Sequence, residues 1–330
     1  MTFAIDDPLL RRARKICGKR ALGGYALGPE SWWKIGGRVR VAAMPACVEE
    51  IAALVALARE MGVQPLVIGE MSNLLITDRP IDALCIRIGS DFAQIEVEDE
   101  IVTAQAGAWV PGVARFLQQR GLAGLEHICG IPGTLGGLVM MNGGSLRKSI
   151  GSHVVDVTSV TPAGEIVART AEECGFAYRD SVFASNDEII AQVRLRPGRG
   201  DIDAIRREMH GILRARRLKF PRKLPNCGSV FKSDPAAYAE FGPPGAMIEK
   251  MGWKGTVRGD AQVSPLHANF IVNTGAARTQ DVLSLIGEIR QSVAEGLGHT
   301  MTPEVRVVRA DGRIQFADEA YAAWQAGEEI

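Results

Sequence analysis

Apolar residues along the chain switch repeatedly between helical and extended spacing. Over residues 48–61, Ile51, Leu54, Val55 and Ala58 recur on one helical face, and Gly62 marks the stop. The apolar run 65–68 predicts a strand that leads straight into the turn GEMSN, 69–73. Residues 84–88, 94–99 and 101–107 are short β-rich runs bounded by Asp, Glu or Gly, and each predicts a strand. Helical spacing returns over 109–121 and ends at Gly121. Residues 154–168 predict a hairpin across Pro162 to Gly164, and 188–197 a further strand. PGRGD, 197–201, is rich in turn residues and predicts a boundary before a charged helix over 202–217.

The second half predicts a strand at 228–233, a helix near 244–252 and a strand at 268–273. A long helix follows, with Thr279 as its expected N-cap and Val282, Leu285, Ile286, Ile289 and Val293 facing inward. Residues 304–316 read as a closing hairpin. Short strands and helices mixed without a steady strand–helix–strand rhythm predict an α+β fold rather than a doubly wound sheet.

Composition narrows the function classes. The 330 residues are 46% hydrophobic and 23% charged, enough for two cored domains. Thirty-eight basic residues balance 38 acidic ones, so no net field recruits nucleic acid or an anionic membrane. The basic cluster Arg11, Arg12, Arg14, Lys15, Lys19 and Arg20 predicts a solvated helix face. With no spanning apolar run and no secretory h-region, a cytoplasmic protein is expected. The six cysteines are scattered and the five histidines never pair at ligand spacing, so free thiols and no metal site are expected.

One stretch breaks the ordinary pattern. Residues 124–145, GLEHICGIPGTLGGLVMMNGGS, hold seven glycines in apolar surroundings. Glycine costs conformational entropy, so either the backbone turns where side chains cannot follow or a ligand lies against it. GEMSN and GIPGTLGG (130–137) are both able to form backbone N–H anion sites, and both are equally readable as tight turns. Neither fits GxGxxG, and GxxxxGK[ST] and GxSxG are absent.

Seven segments in order carry a resemblance: IGG (35–37), VIGEMSNLLITD (67–78), the 124–145 stretch, FAYRDSVF (176–183), NCGSVFKSDP (226–235), GDAQVSPLHANFIVN (259–273) and PEV (303–305). Together they resemble the UDP-N-acetylenolpyruvoylglucosamine reductase family over nearly the full length, in its short, type II form. The resemblance implies an FAD-binding domain of the PCMH/vanillyl-alcohol-oxidase type over 34–200 and a C-terminal α+β substrate domain over 201–330. Residues 1–33 then form an N-terminal extension. It implies tightly bound FAD, NADPH as co-substrate, and reduction of UDP-N-acetylglucosamine enolpyruvate to UDP-N-acetylmuramate in peptidoglycan synthesis by a monomer. A family member with another substrate, or a non-redox nucleotide-binding module, are the rival readings.

Residue by residue, the resemblance places the cofactor at Gly69, Ser72, Asn73, Leu74, Gly130, Ile131, Pro132, Gly133, Thr134, Gly136, Gly137, Asn142 and Gly143. Arg179 matches the carboxylate clamp, Ser229 the general acid and Glu304 the second acid; Tyr178, Lys219 and Asn226 match substrate contacts. By composition alone Arg179 reads as a structural arginine and Ser229 as a turn hydroxyl. Two departures stand out: Met71 and Asp260 each replace a glycine of the family pattern. A positive φ at Met71 would strain the loop.

Overall fold

The computed structural model describes residues 7–330. Its first sheet has the order Ala21–Ala26, Arg38–Ala43, Ile81–Arg87, Pro65–Ile68. The first pair is antiparallel and the other two pairs are parallel. A second, wholly antiparallel sheet runs Ile166–Thr170, Val154–Val160, Ile189–Leu195, Ile101–Gln105, Ile95–Glu98. Between the sheets lies the helix Val48–Glu60, which buries Ile51, Leu54, Val55 and Ala58 as its spacing dictates. Both sheets therefore share one core.

The second half builds its own core around the helix Thr279–Leu297, whose Val282, Leu285, Ile286, Ile289 and Val293 are buried. A small sheet of Val257–Arg258, Ala261–Val263 and Ile271–Asn273 packs there. The halves are stitched by backbone pairing, because Leu74–Ile76, straight after GEMSN, pairs in parallel with Arg306–Val308 of the closing hairpin. No helix among the described residues is long and apolar enough to cross a membrane.

Several local expectations change. The first six residues of the expected extension lie outside the described residues. The rest is no appendage: helix Pro8–Cys17 buries Leu9, Leu10, Ala13 and Cys17 in the first core, and Ala21–Ala26 is a sheet strand. Its basic residues are partly neutralised, Arg20 by Glu50 and Arg12 by Glu60. PGRGD is tied in too, with Gly198–Arg199 pairing to Leu122–Ala123. Residues 228–233 form no strand; Phe231 makes one isolated bridge to Pro303, whose proline lacks the N–H a longer ladder needs. Thr279 is the first helical residue rather than the cap, which is Arg278. The Thr279 hydroxyl instead donates to the Ile76 carbonyl at 2.7 Å and its N–H to the Asp78 carboxylate at 2.8 Å, both in the other half.

Candidate active site

GEMSN leaves the end of Pro65–Ile68 and folds against the second glycine loop. The Ser72 hydroxyl donates to the Pro132 carbonyl at 3.0 Å. A Cβ on Gly69 would overlap the Thr134 hydroxyl, so a side chain there would push the loops apart. Met71 does adopt a positive φ of 54°, and its side chain is buried among Leu27, Ile68 and Ile76. Its strain, about 1–3 kcal/mol for such a conformation, is offset by that burial.

Across from it, Gly133 has φ 132° and accepts from the Val110 N–H at 3.0 Å. Among the described residues, no acceptor takes the N–H of Glu70, Met71, Ser72, Asn73, Gly133 or Thr134. Two loops held in contact with unspent N–H groups form a ready anion cradle. A Cβ built on Gly133 meets only the Ser72 hydroxyl, at 3.0 Å, so this glycine abuts the cradle rather than packed chain.

The cradle opens into a cavity of about 1530 Å³ that runs into the second half of the molecule. Of the residues expected to hold cofactor, Gly69, Ser72, Asn73, Leu74, Gly130, Ile131, Pro132, Gly133, Thr134, Gly136, Gly137 and Gly143 line it. Asn142 does not. Its buried amide donates to the Ala177 carbonyl at 2.7 Å and accepts from the Gly151 N–H at 3.0 Å, so both ends are spent on protein. Nor do all the lining glycines exist for a ligand. A Cβ on Gly136 would meet Ala106 at 2.9 Å, and one on Gly143 would overlap the Leu138 side chain.

At the other end Arg179, Ser229 and Glu304 line the same cavity. Arg179 sits at the tip of a tight turn closed by paired Ala177 and Asp180, with φ 55°. Its Nη2 donates to the Gly144 carbonyl at 3.0 Å, and its Nε lies 3.3 Å from the Glu304 carboxylate. Ser229 and Glu304 lie on adjacent extended segments: the Glu304 N–H donates to the Val230 carbonyl at 2.7 Å. Buried Asn269 pins the first segment, since its backbone carbonyl accepts from Val230 and its side chain bonds both polar groups of the Phe231 backbone. Asn73 reaches over from the cradle and donates to the Glu304 backbone carbonyl at 2.9 Å. Burial pushes the Glu304 carboxyl above its ordinary value, against the pull of Arg179 and Lys232.

The expected substrate contacts divide. Asn226 lines the cavity, with its side chain spanning the bend before Ser229 through bonds to Pro221, Leu224 and the Gly228 N–H. Tyr178 is exposed and Lys219 points outside the lining, its ammonium 5.8 Å from the Phe220 ring. Neither Tyr178 nor Lys219 lines the cavity itself, but both sit beside residues that do: the Tyr178 ring lies 5.5 Å from the Arg179 guanidinium, and the helix Ile202–Lys219 presents Leu213 and Arg216 to the lining.

Of the lining arginines that the motifs do not mark, Arg59, Arg222 and Arg313 are exposed and two, Arg216 and Arg306, are half-buried. Arg216 packs against Gly130 and the Phe220 ring, and Arg306 lies over the Phe316 ring with its Nε buried and unbonded. Burial lowers the proton affinity of both, and neither makes an ion pair among the described residues. The usable signals were spacing: Arg216 follows buried Ile212 by one helical turn, and Arg306 follows Glu304 by the two residues of an extended segment. Asp260, by contrast, lies away from the cavity and caps a turn, accepting from the Ala276 N–H at 2.7 Å. Among the described residues no group of three His, Cys, Asp or Glu side chains is arranged to hold a metal.

Comparison with known proteins places this geometry. Residues 39–169 match the model of an FAD binding domain, and residues 220–308 that of the UDP-N-acetylenolpyruvoylglucosamine reductase C-terminal domain. The chain is 42% identical over 289 residues to UDP-N-acetylenolpyruvoylglucosamine reductase 1 of Corynebacterium glutamicum, covering 88% of this chain and 86% of that one. It is 39% identical over 280 residues to the reductase of Heliobacterium modesticaldum, covering 85% and 88%. The crystal structure of the Thermus caldophilus reductase (MurB) superposes with a TM-score of 0.72 at 29% identity, covering 87% of this chain and 97% of that chain.

Proposed function

From the premise that this chain belongs to the UDP-N-acetylenolpyruvoylglucosamine reductase family, we propose that it reduces UDP-N-acetylglucosamine enolpyruvate to UDP-N-acetylmuramate with FAD and NADPH. The observation that carries the proposal is a single cavity with an anion cradle at one end and an arginine–carboxyl–serine group at the other. The unspent N–H groups of residues 70–73, 133 and 134 fit a pyrophosphate, and Arg216 beside Gly130 adds charge of the right sign. Bound there, FAD would supply the two-electron redox chemistry that links NADPH to the substrate alkene.

The protein's own part follows from where the charge goes. Hydride arriving at the terminal alkene carbon sends negative charge through its neighbour onto the substrate carboxylate. Arg179 offers that carboxylate a planar, cationic guanidinium fork. The carbon bonded to the ether oxygen then needs one proton, which the Ser229 hydroxyl supplies. Glu304, favoured in its neutral form by burial, can stand close to the developing charge without repelling it. Arg306 gives the same end a second cation.

Neither departure from the family pattern favours another substrate. The Met71 side chain is buried in core, and Asp260 lies outside the cavity. A cytoplasmic monomer with a preference for NADPH belongs to the same proposal. The test is anaerobic: the purified protein should be yellow, bleach with NADPH, and regain its colour when the enolpyruvyl sugar nucleotide is added. Bleaching without recovery would leave a flavin reductase acting on some other acceptor.

A further inference from the structure

The turn bearing Arg179 is moulded by residues 140–144, the second half of the glycine-rich segment. Three contacts tie the two together. The Ser181 hydroxyl donates to the Met140 carbonyl at 2.7 Å, Arg179 Nη2 to the Gly144 carbonyl at 3.0 Å, and Asn142 Nδ2 to the Ala177 carbonyl at 2.7 Å. The turn needs such support. Arg179 has φ 55°, a conformation that side chains disfavour and that persists only where the surroundings over-determine it.

Asn142 is the most constrained of the three tethers. It is 5% exposed, has φ 39°, and its Oδ1 accepts from the Gly151 N–H at 3.0 Å while its Nδ2 holds Ala177. One partner is a carbonyl and the other an N–H, so only one orientation of the amide satisfies both. No other side chain of this length both donates and accepts from fixed positions.

We infer that Asn142 is a positioning residue for substrate reduction: it fixes the Ala177 end of the turn so that the Arg179 guanidinium faces Glu304. This rests on the clamp role of Arg179 proposed above. Aspartate at 142 keeps the shape and the bond from Gly151 but turns the donor facing Ala177 into a second acceptor, which frees that end of the turn. Arg179 would remain present and charged, yet misplaced.

The experiment is a double-mutant cycle on the two half-reactions of the flavin-loaded enzyme. Asn142→Asp should retain its flavin and its rate of reduction by NADPH, while reoxidation by the enolpyruvyl sugar nucleotide slows by about 10–10²-fold, the cost of a small misplacement. In an Arg179→Ala background the same Asn142→Asp change should alter reoxidation by less than about twofold, because residues acting as a unit are not additive. Equal losses in both backgrounds, or loss of flavin, would make Asn142 a general structural residue and overturn the inference. Should Asn142→Asp not fold, Ser181→Ala, which removes a neighbouring tether of the same turn, must show the same dependence on Arg179; independence overturns the inference equally. If Arg179→Ala alone reoxidises at the wild-type rate, it is the clamp assignment that fails.

Discussion

The two halves of one glycine-rich segment share a high glycine content and put it to opposite uses. Over 130–137 the backbone is left open: Gly133 faces the cradle and its N–H has no acceptor among the described residues. Over 140–144 the segment is turned to its own protein: the Met140 and Gly144 carbonyls and the Asn142 amide hold the Arg179 turn, and a Cβ on Gly144 would overlap the Lys148 carbonyl. Glycine thus leaves backbone open to the cavity in the first half and allows tight self-packing in the second. Unspent donors, rather than glycine content, distinguish a binding loop from a scaffold.

If that division is right, substitutions in the two halves should fail differently. The largest effect is expected at Gly133→Val. A branched residue at φ 132° is strained, and its side chain enters the cradle, so the protein should purify colourless. A folded and fully yellow Gly133→Val protein would contradict the open-loop assignment. Next, Arg179→Lys keeps the charge and loses the fork, so reoxidation by substrate should fall by about 10²-fold while reduction by NADPH barely changes. Comparable losses in both half-reactions would make Arg179 structural.

Glu304→Gln should separate stability from activity. Burial raises the folded-state pKa of Glu304 above that of the unfolded chain, so ionisation costs the native state. At pH below the unfolded value the carboxyl is neutral in both states and the cost vanishes. As pH rises from the unfolded pKa through the folded one, wild type loses stability that Glu304→Gln does not lose. Thermal melts should therefore show Glu304→Gln more stable than wild type at about pH 8, with the two curves merging near about pH 4. A Glu304→Gln protein less stable than wild type at the higher pH would mean that the Arg179 pairing outweighs burial. The smallest effect is at Met71→Gly. Relief of about 1–3 kcal/mol of backbone strain opposes the loss of a buried side chain, worth about 2–5 kcal/mol. A net destabilisation of about 1–2 kcal/mol is expected in denaturant titration, and a gain would show that strain dominates.

Periodicity located the amphipathic helices well because their burial is a local property; the inward residues of 279–297 follow directly from spacing. It missed the last helix, Ala317–Gln325, where the buried positions are only Ala317 and Ala320 and no large apolar stripe exists. Caps and edges were lost for a tertiary reason. Thr279 has the chemistry of a cap, but its hydroxyl is claimed by Ile76, 203 residues away in the chain. Ordered motifs supply about half of the cavity lining, yet they do not say which side chains reach it: Arg179 lines the cavity, while Tyr178, whose ring lies against the Arg179 guanidinium, is exposed. Spacing alone signals Arg216 and Arg306, because an arginine in sequence looks the same whether paired, solvated or, like Arg306, left with a buried unbonded Nε.

The central claim is that one cavity holds a flavin end and a proton-delivering end that are chemically separable. Ser229→Ala tests it most directly. The pre-reduced variant, mixed anaerobically with saturating enolpyruvyl sugar nucleotide in a stopped-flow spectrophotometer, reports the second half-reaction alone. Ser229→Ala should have normal flavin content, near-normal reduction by NADPH, and reoxidation slowed by about 10²–10⁴-fold, the worth of a positioned general acid. A lost hydroxyl hydrogen bond, worth about 0.5–1.5 kcal/mol, cannot mimic so large a drop. Reoxidation within about threefold of wild type, less than even a single hydrogen bond of about 1 kcal/mol would cost, would contradict the claim and move proton delivery away from Ser229.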